Sequence, residues 1–238
     1  EIQKNMFGKN NNPFFIAEIS SNHNSDLKRM YKLIDTAKNC GFDAVKFQLF
    51  KINKLFSYEI LKKSKKHNKR KKWELDTKYI PKLKNYCKKK KILFGITPFY
   101  LEAINESKDF VDFYKVASYE LNWLNLIEEC SKTRKYLILS TGMAKLKEVK
   151  NAVKIPQKFK IPFSVLHCVS IYPTKENLCN LKSIEFLRKK LKINNVGWSD
   201  HTVNEKVILR ACHKWDAKII EMHIDLDGKG YEYKSKHC

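Results

Sequence analysis

The chain has 238 residues, 43% of them hydrophobic, with 14 Phe and 11 Tyr, which is enough to bury one large core and too apolar for a disordered polymer. It carries 48 Lys and Arg against 25 Asp and Glu, a formal net charge of +23, yet the excess is mostly lysine spread along the whole sequence rather than one nucleic-acid-binding patch. No segment reaches the roughly 20 apolar residues of a membrane span, and the opening EIQKNMFGKNNN lacks the apolar centre of a secretory leader and starts on Glu, as a trimmed sequence would, so a soluble, cytoplasmic protein without membrane partners is expected.

Taken in order, apolar bursts of five or six residues recur with helical patterns between them. FFIAEI (14–19) is followed by DLKRMYKLIDTAKNCG (26–41), where Leu27, Met30, Leu33, Ile34 and Ala37 fall at helical spacing and Gly41 stops the pattern. AVKFQ (44–48) leads into an enlarged connection, 49–79, holding the one true basic block, KKSKKHNKRKK (62–72), with eight Lys or Arg in eleven residues. Such a run usually forms a solvated loop or helix face, and a weak anion or partner contact is the remaining reading. No aromatic-interleaved basic motif accompanies it, so no specific nucleic-acid binding is expected. A helix over 80–91 precedes ILFGIT (92–97); FYKVAS (113–118), YLILST (136–141) and FSVLHC (163–168) follow, then a helix over 181–191, VGWSD (196–200) and IIEMHI (219–224). Eight strands alternating with helices predict a closed parallel (β/α)8 TIM barrel, one domain over 1–238, and the roughly 14 residues after the eighth burst leave its last helix short or missing.

Seven cysteines, Cys40, Cys87, Cys130, Cys168, Cys179, Cys212 and Cys238, are odd in number and form no Cys-x-x-Cys pair. They read as reduced thiols packed as small apolar groups, with neither a disulfide framework nor a zinc ribbon.

In a barrel of this kind chemistry sits at the C-terminal ends of the strands, and there the sequence places Glu18, Asn22 and His23; Lys46 and Gln48; Thr97; Lys115, Ser118 and Glu120; Ser140 and Thr141; His167, Ser170 and Tyr172; Ser199 and His201; Glu221 and His223. Unpaired buried polar groups cost a few kcal/mol each, so core packing does not explain this regularity. His201 and His223 are one strand–helix–strand repeat apart, a spacing that lets adjacent strands aim two imidazoles at one metal ion; two unrelated, hydrogen-bonded histidines are the alternative. Lys46 and Lys115 lie in apolar strands and call for an anion such as phosphate or carboxylate, or else are snorkelling or paired to a local acid such as Glu120.

The run IAEISSNHNSDLKRMYKLIDTAKNCGFDAVKFQ, followed in order by ITPF, YKVASYE, LSTGM, LHCVSIYPT, WSDHT and IIEMH, resembles the sialic acid synthase family across roughly residues 13–225. The resemblance implies a synthase that condenses phosphoenolpyruvate (PEP) with an aldose, N-acetylmannosamine or a related hexosamine, to give a nonulosonic acid and phosphate. It further implies His201 and His223 as ligands of a divalent metal, Mn2+ with Mg2+ or Co2+ as alternatives. Lys46, Thr97, Lys115, Ser118, Ser140, Ser170 and Ser199 match PEP-binding positions, Gln48, Glu120 and Tyr172 positions near the sugar, and Glu18 an acid beside the metal and reacting carbons; Glu18 and Glu120 are the catalytic candidates.

The chain also departs from the family pattern. Ser20, Ser25, Ala117 and Tyr119 stand where glycines are usual, and Tyr119 adds bulk near the sugar. The loop 225–236 lacks the usual sugar-contacting acid, for which Asp227 or Glu232 is a substitute. Set against the resemblance, these residues contain no counterpart of the family's C-terminal antifreeze-like domain, which in relatives crosses a dimer and supplies an arginine to the sugar site; the expectation is a chain without that domain, with an incomplete hexosamine pocket and a possible homodimer. Two further readings stay open: a 2-keto-3-deoxy sugar acid synthase acting on another aldehyde, and a non-catalytic or partner-dependent barrel binding sugar-acid precursors.

Overall fold

The eight apolar bursts are eight parallel strands: β1 (Phe14–Ser20), β2 (Ala44–Leu49), β3 (Leu93–Pro98), β4 (Phe113–Val116), β5 (Tyr136–Ser140), β6 (Phe163–Cys168), β7 (Val196–Asp200) and β8 (Ile219–His223). In the computed structural model, which describes residues 12–234, they pair in chain order and β8 closes on β1. The opening segment and Cys238 lie outside the described residues. Helices α1 (Leu27–Asn39), α2 (Ile80–Lys90), α3 (Glu102–Ser107), α4 (Leu124–Lys132), α5 (Leu146–Lys158), α6 (Lys182–Leu191) and α7 (Glu205–His213) alternate with the strands, and α8 (Tyr231–Lys234), a single turn, follows β8. This is a (β/α)8 TIM barrel. No helix among the described residues is long and apolar enough to cross a membrane, and the six described cysteines are free thiols.

Local sequence accounts for these elements. Asp26 caps α1 by accepting from Lys28 N at 2.8 Å, and Met30, Leu33, Ile34 and Ala37 form its buried stripe. Beyond its end the chain turns at Gly41, whose φ of +85° is a conformation that suits glycine. The strands are buried on both faces because helices cover the outside and side chains fill the barrel inside. Along the inner face the two-residue period stacks an apolar layer under a polar one: Ile16 below Glu18, Ala44 below Lys46, Phe113 below Lys115, Ile138 below Ser140 and Ile219 below Glu221. The apolar layer plugs the N-terminal half of the barrel, and the polar layer is the floor of the open half. Gly197 lets β7 approach β8 closely, since a Cβ there would collide with the Ile219 carbonyl.

The enlarged connection after β2 is a chain of short turns, with helical turns at Ile52–Leu55, Tyr58–Lys63 and Lys65–Asn68 and a 3-10 turn at Lys69–Trp73. It is tied to the loop after β1: Ser25 Oγ donates to the Lys72 carbonyl at 2.7 Å and Ser21 Oγ to that of Trp73 at 3.3 Å. Asn22 fastens the segment after β8 as well, donating to the Ile224 carbonyl and accepting from Tyr233 N, both at 2.9 Å. Arg29 of α1 clamps the same segment through Asp225 at 2.6 Å and Asp227 at 2.9 Å.

Candidate active site

At the C-terminal mouth of the barrel a cavity of about 280 Å³ is floored by Lys46, Thr97, Lys115, Ser199 and Glu221. Glu18, Gln48, Ser118, Tyr172, His201 and His223 also line it. These side chains come from β1, β2, β3, β4, β6, β7 and β8 or the loops after them, so only barrel closure assembles them.

Both lysines are buried, and both have carboxylate partners. Lys46 contacts Glu18, its register neighbour on β1, and donates to Thr97 Oγ1 at 2.7 Å. Lys115 donates to Glu221 Oε1 at 3.0 Å, and Ser199 Oγ donates to the same oxygen at 3.2 Å. Glu120, named from local sequence only as an alternative partner for either lysine, forms no ion pair with Lys115; Glu221, across the barrel on β8, does. Desolvation pulls the Lys46 ammonium down to about 7, with Glu221 opposing and Lys115 assisting. Burial pushes Glu221 up, but Lys115 and Lys46 outweigh it and hold this carboxyl at about 2. Glu221 therefore stays ionised, with one oxygen buried and without a hydrogen-bond partner.

The histidines sit higher in the mouth, with ring centroids 5.6 Å apart. His201 Nδ1 donates to the Val169 carbonyl at 2.9 Å and His223 Nδ1 to the Glu232 carboxylate at 2.9 Å. Each hydrogen bond engages Nδ1, so in a neutral ring the proton sits there and Nε2 is the nitrogen left to ligate a metal, with an outer-shell acceptor behind it. Among the described residues no three His, Cys, Asp or Glu side chains are grouped to hold a metal, so two imidazoles are the protein ligands on offer. Tyr172 packs its ring 4.2 Å from that of His201.

Three of the expected residues do not line this cavity. Ser140 ends β5 on the inner face, buried, its hydroxyl without a partner. Ser170 lies behind Gly142, against which Ser118 also packs; Ser118 Oγ accepts from Gly142 N at 3.0 Å. Glu120 ends the 3-10 turn after β4, where burial, only partly countered by Lys115, raises its carboxyl to about 7. His23 and His167 are structural: His23 Nδ1 accepts from Ser25 N at 2.9 Å, and His167 Nε2 donates to the Cys179 carbonyl at 2.8 Å. Tyr119 stands on the rim, 67% exposed.

The cavity also contains Glu221 and Arg70, which the sequence did not single out as binding groups, and Glu232, which it offered only as a substitute sugar-contacting acid. Glu221 pairs with Lys115; the strand-end position of Glu221 was the available signal. Glu232 holds His223, whereas Asp227, its alternative as a substitute acid, goes to Arg29. Arg70, from the basic block read as a solvated face, reaches the mouth.

A model of the NeuB family matches residues 33–236. The chain belongs to the NeuB family. It is 37% identical to an uncharacterized protein of Methanocaldococcus jannaschii, over 95% of this chain and 66% of that one. It is 35% identical to the N,N'-diacetyllegionaminic acid synthase of Campylobacter jejuni, over 89% of this chain and 67% of that one. The crystal structure of an N-acetylneuraminic acid (sialic acid) synthetase from Leptospira borgpetersenii, in complex with citrate, superposes with a TM-score of 0.86 at 35% identity, covering 94% of this chain and 78% of that one. The chain thus spans about two thirds of the length of the curated NeuB-type relatives it matches.

Proposed function

We propose that this chain is the catalytic barrel of a synthase that condenses PEP with N-acetylmannosamine or a related hexosamine, yielding a nonulosonic acid and phosphate. Relatives named as legionaminic and pseudaminic acid synthases support the reaction class. The observation that carries it is the cavity itself: two buried lysines on the floor lie below two imidazoles whose Nδ1 atoms are held by outer acceptors, which leaves Nε2 of each ring to ligate.

In the proposed reaction carbon 3 of PEP bonds to the aldehyde carbon, water adds at carbon 2, and the bond from carbon 2 to the phosphate oxygen breaks. Lys46 with Thr97, and Lys115 with Ser118 and Ser199, hold the phosphate and carboxylate by charge-assisted hydrogen bonds. Glu18, in contact with Lys46, is placed to take a proton from the adding water; Gln48 and Tyr172 on the walls orient the sugar.

Charge supports the metal. The cations lining the cavity, Lys46, Arg70 and Lys115, are matched by the carboxylates of Glu18, Glu221 and Glu232. PEP brings about three further negative charges near neutral pH, so binding calls for added positive charge. A divalent ion such as Mn2+ on His201 and His223 would supply that charge and Lewis acidity at the aldehyde oxygen. The test is an assay of phosphate release with saturating PEP, Mn2+ and a panel of N-acylated hexosamines, with the product identified by mass. A nonulosonic acid in step with phosphate is expected; no release with any acceptor refutes the reading.

A further inference from the structure

The segment 224–234 that follows β8 is strapped along its length to the loop after β1 and the start of α1. Asn22, fully buried, donates to the Ile224 carbonyl and accepts from Tyr233 N, both at 2.9 Å. Asn24 repeats the pattern two residues on, donating to the Lys229 carbonyl at 3.0 Å and accepting from Tyr231 N at 2.9 Å. Arg29 completes the tie: its Nε donates to the Asn22 carbonyl at 2.6 Å, while Nη2 reaches Asp225 at 2.6 Å and Asp227 at 2.9 Å. The close approach depends on a glycine, since a Cβ at Gly230 would stand 2.2 Å from Asn22 Oδ1.

What this strap carries inward is Glu232. The amides on either side of it, of Tyr231 and Tyr233, are the two that donate to Asn24 and Asn22, so the ties fix the backbone at the residue whose carboxylate accepts from His223 Nδ1 at 2.9 Å. That carboxylate and that imidazole are 11% and 10% exposed. Asn22, Asn24 and Arg29 themselves do not line the mouth cavity. Holding a glutamate in one conformation against a metal-site imidazole costs chain and side-chain entropy, and contacts outside the site offset it.

We propose that docking of this strap sets the metal affinity of the His201–His223 pair, with Arg29, Asn22 and Asn24 as positioning residues that act through Glu232. The proposal rests on a divalent ion binding at those imidazoles. With the strap docked, Glu232 fixes the His223 ring so that Nε2 is left to ligate, and it strengthens that nitrogen as a donor. With the strap undocked, His223 loses both effects. Apparent metal affinity then scales with the fraction of molecules whose strap is docked, and by reciprocity a bound ion favours docking.

Mn2+ is titrated by calorimetry into the full chain and into Glu232→Ala, Arg29→Ala, Asn24→Ala and Arg29→Ala/Glu232→Ala variants, with His223→Ala defining the binding that belongs to the site. Glu232→Ala should weaken Mn2+ binding at least about tenfold, the loss typical of an outer-shell partner. Arg29→Ala should weaken it at least about threefold, as when the strap is docked in only about a third of molecules, and Asn24→Ala should act in the same direction. In the double variant Arg29→Ala should add nothing to Glu232→Ala, because the ties work through that carboxylate. In the parent, Mn2+ should slow hydrogen exchange at the Tyr231 and Tyr233 amides. Mn2+ binding like the parent's in both Arg29→Ala and Asn24→Ala overturns the proposal, as does amide exchange that Mn2+ leaves unchanged. So does an Arg29→Ala loss of equal size with and without Glu232, which would mark a general loosening of the barrel. A parent that binds no Mn2+ at these histidines refutes the metal reading itself and the coupling with it, a result distinct from the other three.

Discussion

Replacing Lys115 by Met keeps the apolar stem and removes the charge that holds the Glu221 carboxylate in place. Its Nζ lies 3.0 Å from Glu221 Oε1, with the two side chains 6% and 4% exposed. Taking one partner from a buried ion pair strands the other, which costs about 3–5 kcal/mol. The low end is expected here because Lys46 still attracts the Glu221 carboxylate. For a chain of this size each kcal/mol moves the melting temperature by about 2–4 °C, so Lys115→Met should melt roughly 6–12 °C lower. Adding Glu221→Gln removes the stranded charge and should restore most of the loss. PEP affinity should fall at least tenfold, about 1.4 kcal/mol, in both the single and the double variant. Urea unfolding measures the first effect and calorimetric titration the second. A single variant within about 1 kcal/mol of the parent, or a double variant no more stable than the single, would show that Lys115 and Glu221 are not a coupled pair; unchanged PEP affinity would make Lys115 purely structural.

Chelation should abolish turnover with Mn2+ restoring it, and His201→Ala or His223→Ala should each weaken Mn2+ binding measured by calorimetry while the far-UV circular dichroism stays that of the barrel; full activity after exhaustive chelation counts against the metal. Glu120 is raised from an ordinary carboxyl to about 7, so the unfolded chain ionises first: stability is unaffected below about pH 4.5, falls as pH rises to about 7, and is then lower by about 3 kcal/mol. Glu120→Gln should flatten that fall in urea unfolding between pH 4 and 8, and an unaltered profile would contradict the burial argument. Tyr119→Ala, on the exposed rim, should change KM for the aldose without changing KM for PEP in steady-state kinetics; a shift in both would place Tyr119 deeper in the reaction. Gly197→Ala, which drives a methyl into the Ile219 carbonyl, should lower stability by about 1–3 kcal/mol in the same unfolding assay.

Much of this molecule is legible from local pattern. Eight apolar bursts separated by helical stretches permit few architectures, and the two-residue period of a strand puts Glu18, Lys46, Lys115 and Ser199 on the inner face once those bursts are strands. Partnership across the barrel is not local. Lys115 and Glu221 are far apart in sequence and meet only because the sheet closes, whereas Glu120, the nearer acid, is carried out of the cavity by the 3-10 turn after β4. Ser140 and Ser170 sit close to the expected place without lining the cavity, because strand register and loop path decide the last few ångströms. The basic block marks the limit most clearly: its charge reads as a solvated face, and most of it is exposed. Arg70 enters the mouth because Ser21 and Ser25 tether the neighbouring backbone and Trp73 and Tyr231 stack, contacts between segments about 50 and 160 residues apart. Composition and period determine which side chains face inward; only closure of the barrel determines which of them meet.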